Sequence, residues 1–274
     1  MAQKPTISVI LSTYKAEAWL EKVLWGFEHQ SFTDFELVVA DDGSGPETKT
    51  LLDALQAKLS YPIVYVWQED DGFQKSRILN KGLLAAHGDY IVMTDGDCIP
   101  RADFLAVHAA HMEVGYFLSG GYFMLPMDIS KAITTADIKT GNCFELGWLK
   151  TRGLAPSFKN NKLSARGGVA ALLNKITLTN ASWNGHNASG FKADILRVNG
   201  FDERMQYGGQ DRELGERLIN AGIQSKQLRY SAIVVHLDHK RGYKNEASIA
   251  KNRAIRDAVK AQKLRVTPFG IVKG

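Results

Sequence analysis

Two aspartates separated by one glycine, Asp95 and Asp97, form the strongest candidate site in the sequence. They directly follow residues 90–94, an apolar and β-branched run that is typical of a buried strand. Because Gly96 has no side chain, both carboxylates could approach one cation, and paired oxygen ligands suit Mg2+ or Mn2+ carrying a diphosphate. Asp-Gly is also common in turns, so the pair predicts a metal site only in combination with a suitable fold.

Two further acidic positions are candidates for chemistry. Asp42, within Asp-Asp-Gly-Ser at 41–44, has the position of a carboxylate that accepts from a nucleobase imino group or a ribose hydroxyl. The same segment is also typical of a turn and helix cap before Pro46. Asp211 follows the glycines at 208–209 and stands at the start of a predicted helix. Its spacing fits a helix cap and a general base equally well.

The elements around these residues alternate between strands and helices. Apolar periodicity predicts strands at 6–12, 35–40, 63–67 and 90–94, separated by helices that contain residues 19–27, 51–59 and 78–86. Such alternation predicts an α/β fold, with right-handed crossovers and a mostly parallel central sheet flanked by helices on both faces. Ligands bind outside the carboxyl ends of such strands, and acids follow three of them, at 41–42, 70–71 and 95–97.

The regular pattern loosens after residue 100. We predict a helix over 101–112, extended chain over 116–125, and a poorly periodic elaboration with mobile loops over 127–175. Regular signals return in the remaining chain, where we predict elements at 193–198, 211–221 (helix), 231–235 (strand) and 247–262 (terminal helix).

Composition and charge exclude several classes of protein. The 274 residues are 45% hydrophobic and 23% charged, which is typical of a folded globular chain. The net charge is +5, but residues 240–274 hold ten basic and two acidic side chains, so this tail carries +8 and the remainder −3. A general nucleic-acid binder would spread its cations over the fold, so no nucleic-acid partner is expected.

The sequence predicts neither export nor a membrane-spanning helix. The longest stretch without an acidic, basic or histidine residue, 114–127, is shorter than the ~20 apolar residues of a spanning helix. The N-terminus lacks signal-peptide features, and Cys98 and Cys143 provide neither a disulfide framework nor a zinc pattern. We therefore expect a cytoplasmic protein.

An ordered series of motifs resembles the family 2 glycosyltransferases with a GT-A fold. The matching segments are 6–14, 41–44, 80–82, 88–90, 95–97, 198–203 and 208–214. The resemblance covers most of residues 5–236. Within it, 187–214 looks most like bacterial chondroitin-polymerase-type modules and the β-1,4-galactosyltransferases, and 73–82 is similar to a nucleotide-contacting helix of the latter.

The resemblance implies a GT-A (Rossmann-like nucleotide-diphospho-sugar transferase) fold and a defined reaction. This reaction is inverting, metal-dependent transfer of a hexose or N-acetylhexosamine from a UDP-sugar to a hydroxyl of a glycan or lipid-linked saccharide, in surface polysaccharide or lipopolysaccharide synthesis. The implied catalytic base is Asp211, the nucleotide-binding residues are Thr13, Tyr14, Asp42, Lys75, Arg77 and Asp95, and the ligands of Mn2+ or Mg2+ are Asp97, His236 and Asp95. His239 is a nearby competitor for His236.

Contacts to the sugars are assigned less directly. Expected donor or acceptor contacts are Asn187, in a loop, Gln210, and Trp183, which could stack on a sugar face or pack in the core. Trp148, Tyr207 and Phe191 have the same two interpretations, and His186 is interpreted as structural. Family members commonly have Glu-Asp where this chain has Gln210-Asp211, which puts acceptor contacts inferred from the missing acid in doubt.

These expectations define a domain division and its alternatives. Residues 1–239 form a single GT-A catalytic domain, with a nucleotide-binding half at 1–100 and an acceptor-binding, catalytic half at 101–239, and 240–274 form a basic helix and tail. The tail either contacts an anionic membrane, at its inner face, or is a solvated helix surface. Alternative functions are a noncatalytic sugar-nucleotide-binding protein and a sugar-nucleotide nucleotidyltransferase, although the latter would need a glycine-rich loop where 11–15 reads Leu-Ser-Thr-Tyr-Lys.

Overall fold

Strands and helices alternate through the first hundred residues, as the apolar periodicity predicts. The structure is a computed structural model that describes residues 4–240 and 245–274. Its first elements are β1 (Ile7–Thr13), α1 (Glu17–Glu28), β2 (Phe35–Asp41), α2 (Pro46–Gln56), β3 (Ile63–Trp67), α3 (Lys75–Ala85) and β4 (Tyr90–Asp95). Each of the four predicted strands agrees with the observed one to within one residue at either end.

The second half of the chain completes the sheet. Its larger elements are β5 (Cys98–Pro100), α4 (Phe104–His111), β6 (Tyr116–Met124), β7 (Ala188–Phe191), α10 (Lys192–Arg197), α11 (Gln210–Asn220), β8 (Gln224–His236) and α12 (Glu246–Ala261). One eight-stranded sheet results, with the order β3-β2-β1-β4-β7-β6-β8-β5. Neighbours from β3 to β4 are parallel, as are β6 and β8, whereas β7 and β5 run antiparallel to their neighbours. The predicted α/β fold with a mostly parallel central sheet is confirmed.

Both faces of the sheet are covered because side chains alternate along each buried strand. On β1, Val9 and Leu11 pack into a core with α1, α2, α4 and the segment after residue 125. Ile10 points to the other face and joins a second core with α3, α10 and α11. Side chains from the two faces of β1 therefore pack into two helical layers, which hold its carboxyl end between them.

The stretch 127–175, predicted to be a poorly periodic elaboration with mobile loops, is built mainly from short helices. This stretch contains α5 (Met127–Ala132), α6 (Thr135–Thr140), α7 (Leu146–Thr151), α8 (Asn161–Ser164) and α9 (Gly167–Ile176). Buried side chains such as Ile133, Cys143 and Leu149 anchor the segment in the core. Most of these helices are shorter than two turns, so a 3.6-residue apolar repeat has no length over which to show itself.

The basic tail packs against the domain in its described part. Asn245 caps the amino end of α12 by accepting from the backbone N–H groups of Ala247 and Ser248. After the helix, Thr267 donates to Asp202 at 2.7 Å, and Asn199 donates to the carbonyls of Thr267 and Val272. Residues 241–244 of the predicted tail lie outside the described residues. The division at residue 239 stays a prediction.

None of the described helices combines the length and the apolar character needed to cross a lipid bilayer.

Candidate active site at the carboxyl edge of the sheet

A cleft of about 1230 Å³ opens where β1, β2 and β4 end. Pockets for single small ligands commonly measure about 300–1,000 Å³, so this cleft has room for a nucleotide sugar and part of an acceptor. Its polar lining includes Thr13, Tyr14, Asp42, Lys75, Asp95, Asp97, His186, Gln210, Asp211, His236 and His239. The predicted strand ends therefore do converge on one site.

Asp42 lies at the floor of one end of the cleft. Its carboxylate accepts from Gln68 Nε2 at 2.6 Å and from the backbone N–H of Gln74 at 2.9 Å. Burial raises the pKa of Asp42 to about 6, against the opposing effect of these two hydrogen bonds. The turn is stabilised instead by Asp41, which accepts from the backbone N–H of Ser44. The nucleotide-type carboxylate and the turn-forming carboxylate are therefore separate residues.

Thr13 and Tyr14 border the same end of the cleft. Thr13 Oγ1 is buried and has no hydrogen-bond partner among the described residues. Tyr14 is 45% exposed, and its hydroxyl donates to Asp70 at 2.9 Å. A buried hydroxyl without a partner beside an exposed ring fits a ligand that brings both a polar group and a flat surface.

Lys75 lies between the carboxylates of the cleft. Its Nζ is 2.5 Å from Asp95 Oδ1, which also accepts from Ser12 at 2.8 Å. Burial lowers the pKa of Lys75, but Asp95, and less strongly Asp211 and Asp97, raise it above its ordinary value. Lys75 therefore stays protonated in a largely buried position, where a cation can neutralise a diphosphate.

Arg77 does not share this position, and its assignment to the nucleotide is corrected. Its guanidinium lies 3.5 Å from Asp71, and it does not line the cleft. Because side chains two residues apart on a helix point in different directions, only Lys75 of this pair faces the site.

Asp97 and two histidines form the candidate metal centre. His236 Nε2 and His239 Nε2 lie 3.6 and 3.1 Å from the carboxylate oxygens of Asp97. The Nδ1 atoms of His236 and His239 lie 2.8 and 3.0 Å from the backbone carbonyl oxygens of Leu237 and Lys240, so each Nδ1 carries the proton and Nε2 keeps a lone pair. Lone pairs that face a carboxylate require a cation, and the donor set therefore fits a divalent metal ion.

Besides a metal ion, a proton can bridge this cluster. Burial raises the pKa of Asp97, but a hydrogen bond from the protonated form of His239, and the positive charge that either histidine carries when protonated, bring it below its ordinary value. The neighbouring thiol of Cys98 is fully buried, and burial raises its pKa. The ligand atoms of Asp97, Cys98 and His236 all lie within 4.8 Å of one another, so oxygen, sulfur and imidazole nitrogen atoms are available at this centre.

Asp211 lies in the first turn of α11, facing the cleft. Its Oδ2 accepts from the backbone N–H of Gly185 at 2.9 Å, and its Oδ1 from that of Arg212. Gly208 and Gly209, which precede it, have φ angles of 110° and 89°, a region that favours glycine. The two glycines let the chain enter the helix with Asp211 exposed to the cleft.

Asn252 of α12 holds this loop from behind. Its side-chain amide donates to the carbonyl oxygens of Gln206, Tyr207 and Gly208 at 2.9 to 3.2 Å. Sequence reasoning missed this residue, because an asparagine within a helix gives no sign of a partner more than forty residues away. The tail thus helps to position Asp211.

His186 is a second residue that sequence reasoning missed, since it was interpreted as structural. It lines the cleft, and its ring packs against Tyr122 with 4.5 Å between centroids. Burial lowers the pKa of His186 to about 4, although Asp95 and Asp211 act in the opposite direction. At neutral pH the cleft therefore contains a neutral imidazole with hydrogen-bonding capacity near the candidate base.

The predicted sugar contacts of Trp183 and Asn187 are wrong. Trp183 is fully buried in the core, where its ring packs against Phe117. Asn187 is also fully buried, and its amide donates to the carbonyls of Gly121 and Ala232. The register of β6 and β8 shifts at Gly121, so Asn187 satisfies backbone groups that the sheet ladder leaves unpaired.

The other aromatic candidates divide in the same way. Tyr207 lines the cleft beside Phe73, with 5.8 Å between ring centroids. Phe191 packs on Tyr90, and Trp148 packs against the core beneath the guanidinium of Arg152. Gln210, the predicted acceptor contact, lines the cleft, and its side-chain oxygen accepts from the backbone N–H of Gly208.

Further cations line the cleft. They are Arg212 of α11 and, from the C-terminal segment, Lys240, Arg253 and Arg256. Arg256 is paired with Glu216 at 2.6 Å, whereas Arg253 is exposed and has no ion-pair partner among the described residues. Together with Lys75, which contacts Asp95, these cations give the cleft a lining that carries both signs of charge.

Two family descriptions match this chain. Residues 8–129 match "Glycosyl transferase family 2". Residues 166–240 match "N-terminal domain of galactosyltransferase". The first range contains Asp42, Asp95 and Asp97, and the second contains Asp211 and His236, so the two halves of the cleft fall into the two matched ranges.

Similar proteins were found among curated sequences. Validoxylamine A glucosyltransferase of Streptomyces hygroscopicus subsp. limoneus is 29% identical over 226 residues, which cover 80% of this chain and 49% of that protein. Chondroitin synthase of Escherichia coli is 26% identical over 277 residues, which cover 94% of this chain and 38% of that protein. The chain spans about half the length of the first relative and less of the second.

Solved structures show a similar fold. S. aureus TarS 1-349 in complex with UDP-GlcNAc gives a TM-score of 0.63 at 16% identity, covering 94% of this chain and 69% of that one. The mannosyltransferase PcManGT from Pyrobaculum calidifontis, in complex with GDP-Man and Mn2+, gives 0.61 at 19% identity, covering 97% and 67%.

Proposed function

We propose that the chain is an inverting, metal-dependent glycosyltransferase of family 2, because residues 8–129 match that family and the chain has the GT-A fold. It transfers a hexose or N-acetylhexosamine from a UDP-sugar to a hydroxyl of a glycan or lipid-linked saccharide, in surface polysaccharide or lipopolysaccharide synthesis. One observation carries this proposal: Asp211, the Lys75–Asp95 pair and the Asp97–His236–His239 cluster line the same cleft.

The donor is held at the strand ends in this proposal. Asp42 accepts from the uracil imino group, Tyr14 stacks on the base, and Thr13 supplies the hydroxyl that lacks a partner. Asp97, with His236 and His239, holds Mn2+ or Mg2+, which when bound neutralises charge on the diphosphate. Lys75 adds a fixed positive charge to the same region. The UDP-GlcNAc and Mn2+ complexes of TarS and PcManGT, respectively, support the class of ligand.

Transfer with inversion requires one base on the acceptor side. The acceptor oxygen attacks the anomeric carbon opposite the leaving diphosphate, and Asp211 accepts the acceptor proton as the new bond forms. The hydrogen bond from Gly185 fixes the orientation of the carboxylate. No second carboxylate is needed beneath the anomeric carbon, because a single displacement has no covalent intermediate.

Release of UDP tests the proposal directly. The purified chain is incubated with Mn2+ and individual UDP-sugars, with and without saccharide acceptors, and UDP is measured. We expect release from one donor or a few, increased by an acceptor. Nucleotide binding without turnover of any donor would instead support a noncatalytic sugar-nucleotide-binding protein.

Nucleotide affinity should depend on the ionisation of Asp42. Its pKa of about 6 means that the carboxylate accepts hydrogen bonds above this pH and loses that capacity as the pH falls through it. At pH 5 only about one tenth is ionised, so the affinity for uridine, which has no phosphate group that titrates in this range, should fall up to about tenfold relative to pH 7.5. Calorimetry with uridine measures this, and Asp42→Asn should remove the pH dependence. An equally steep dependence in that variant would contradict the role.

The cations beside Asp211 favour an acceptor with a phosphate or carboxylate group. Arg253 is exposed and has no ion-pair partner among the described residues. Losing one charge-assisted hydrogen bond costs about 1.5–3 kcal/mol. We expect Arg253→Ala to raise the acceptor KM about tenfold or more and to leave the donor KM unchanged. Lys251→Ala, on the same helix but outside the cleft, is the matched control. A change in the donor KM alone would contradict this assignment.

A further inference from the structure

A row of apolar side chains is exposed on α9, away from the cleft. Val169, Leu172 and Ile176 are 63%, 58% and 62% exposed, and their spacing of three and four residues places them in one stripe. Just outside the helix, Phe158 is 80% and Leu178 99% exposed. Five large apolar side chains within 21 residues are more than the scattered single exposures of an ordinary surface.

The opposite side of α9 is anchored to the domain. Ala170 is buried, and Asn174 donates to Ser231 Oγ at 2.8 Å and accepts from the backbone N–H of Tyr230 at the same distance. Both partners belong to β8. These contacts fix the rotation of α9 about its own axis. The apolar stripe on its other side therefore faces the solvent.

The part of the chain that carries this stripe is rich in basic residues. Residues 146–193 contain seven basic side chains and no acidic one. Those that are exposed are Lys150, Arg152, Lys159, Arg166 and Lys175, and the acids Asp103 and Glu145 lie near enough to Arg166 to affect its pKa. The basic tail differs, because Arg256 and Lys260 of α12 pair with Glu216, and α12 packs beside the cleft.

The combination of charge and apolar surface selects one kind of partner. A second copy docked through the same face would bring two basic surfaces together, and a free polyanion would leave the apolar stripe in water. A bilayer with anionic lipids can bind the basic and the apolar side chains at the same time. The basic side chains contact the headgroups, and the apolar side chains enter the acyl boundary.

We propose that the α9 surface docks on an anionic lipid bilayer. This surface consists of Phe158, Lys159, Arg166, Val169, Leu172, Lys175, Ile176 and Leu178. Docking itself does not depend on the proposed transferase function. With that function, docking would bring the chain to the membrane that holds a lipid-linked acceptor.

Vesicle binding of the full chain tests the proposal. The probe is sedimentation with phosphatidylcholine vesicles that contain about one third phosphatidylglycerol, compared with phosphatidylcholine alone. We expect binding that requires the anionic lipid and weakens with salt. The double variant Leu172→Ser with Ile176→Ser should weaken it at least about tenfold. Lys159→Ser with Lys175→Ser should weaken it about fivefold per charge removed.

Matched controls change the same chemistry elsewhere. Val114→Ser removes an apolar side chain that is 82% exposed at another site, and Lys251→Ser with Arg265→Ser removes two charges from the tail. Both should bind as the parent chain does, with all variants checked for unchanged melting. Undiminished binding by the α9 variants, or equal loss in the tail variant, would overturn the proposal. Neither result affects UDP release, which is measured without vesicles.

Discussion

Replacing Asp211 with asparagine should lower sugar transfer by about 10³-fold while UDP affinity stays within about twofold of the parent value. General-base catalysis contributes about 10²–10⁴ to rates, and an amide cannot accept the acceptor proton. Asparagine still offers an oxygen to the backbone N–H of Gly185, so the local structure should be retained. Single-turnover transfer and calorimetry with UDP measure the two quantities separately.

Two control variants separate the base from a general effect of charge. Asp71→Asn removes a carboxylate at another strand end that does not line the cleft, and it should leave transfer unchanged. Gln210→Glu adds a carboxylate beside the base without removing the base, and it should retain transfer. Transfer by Asp211→Asn within about tenfold of the parent would remove Asp211 from the mechanism.

The sequence predicted the part of the site that the strands create. Asp42, Asp95 and Asp97 each follow an apolar run, and parallel strands bring their carboxyl ends to one edge without help from any other signal. Asp211 was accessible in the same way, because two glycines before a helix mark a turn with positive φ. The α/β fold was predicted for this reason and is confirmed. The family resemblance came from the ordered motifs, and residues 8–129 match "Glycosyl transferase family 2".

The residues that were missed depend on contacts between distant segments. His186 enters the cleft because its loop packs on Tyr122 of β6, and Asn252 reaches Tyr207 from a helix near the end of the chain. Trp183 and Asn187 show the opposite error, because they were predicted as sugar contacts but are buried in the core. Aromatic and amide side chains serve sugar binding and core packing equally well, and only burial separates the two roles.

The metal centre shows where prediction from sequence ends. Asp97 was predicted from its motif, but His236 and His239 were alternatives because spacing could not distinguish them. The structure brings both rings to Asp97, stacked with 5.6 Å between centroids. Either histidine could then be a ligand, and so could both, which makes their separate replacement informative.

Replacing Asp97 with alanine should abolish the effect of Mn2+ on nucleotide binding and lower transfer at least about 100-fold, because metal stabilisation of the leaving diphosphate is worth several kcal/mol. The parent chain should bind UDP more tightly with Mn2+ than without it, whereas Asp97→Ala should show one affinity under both conditions. Calorimetry measures this, and electron paramagnetic resonance of free Mn2+ gives metal affinity without any turnover.

The loss of Mn2+ affinity in each single variant should then show which histidine is a metal ligand. Each Nδ1 lies within hydrogen-bonding distance of a backbone carbonyl, so His236→Ala and His239→Ala each remove one preoriented Nε2. A true ligand should cost at least about tenfold in Mn2+ affinity, and a histidine that only neutralises Asp97 should cost less. His111→Ala, an exposed histidine outside the cleft, should change nothing. Equal Mn2+ affinity in the parent chain, Asp97→Ala and both histidine variants would exclude this cluster as the metal site.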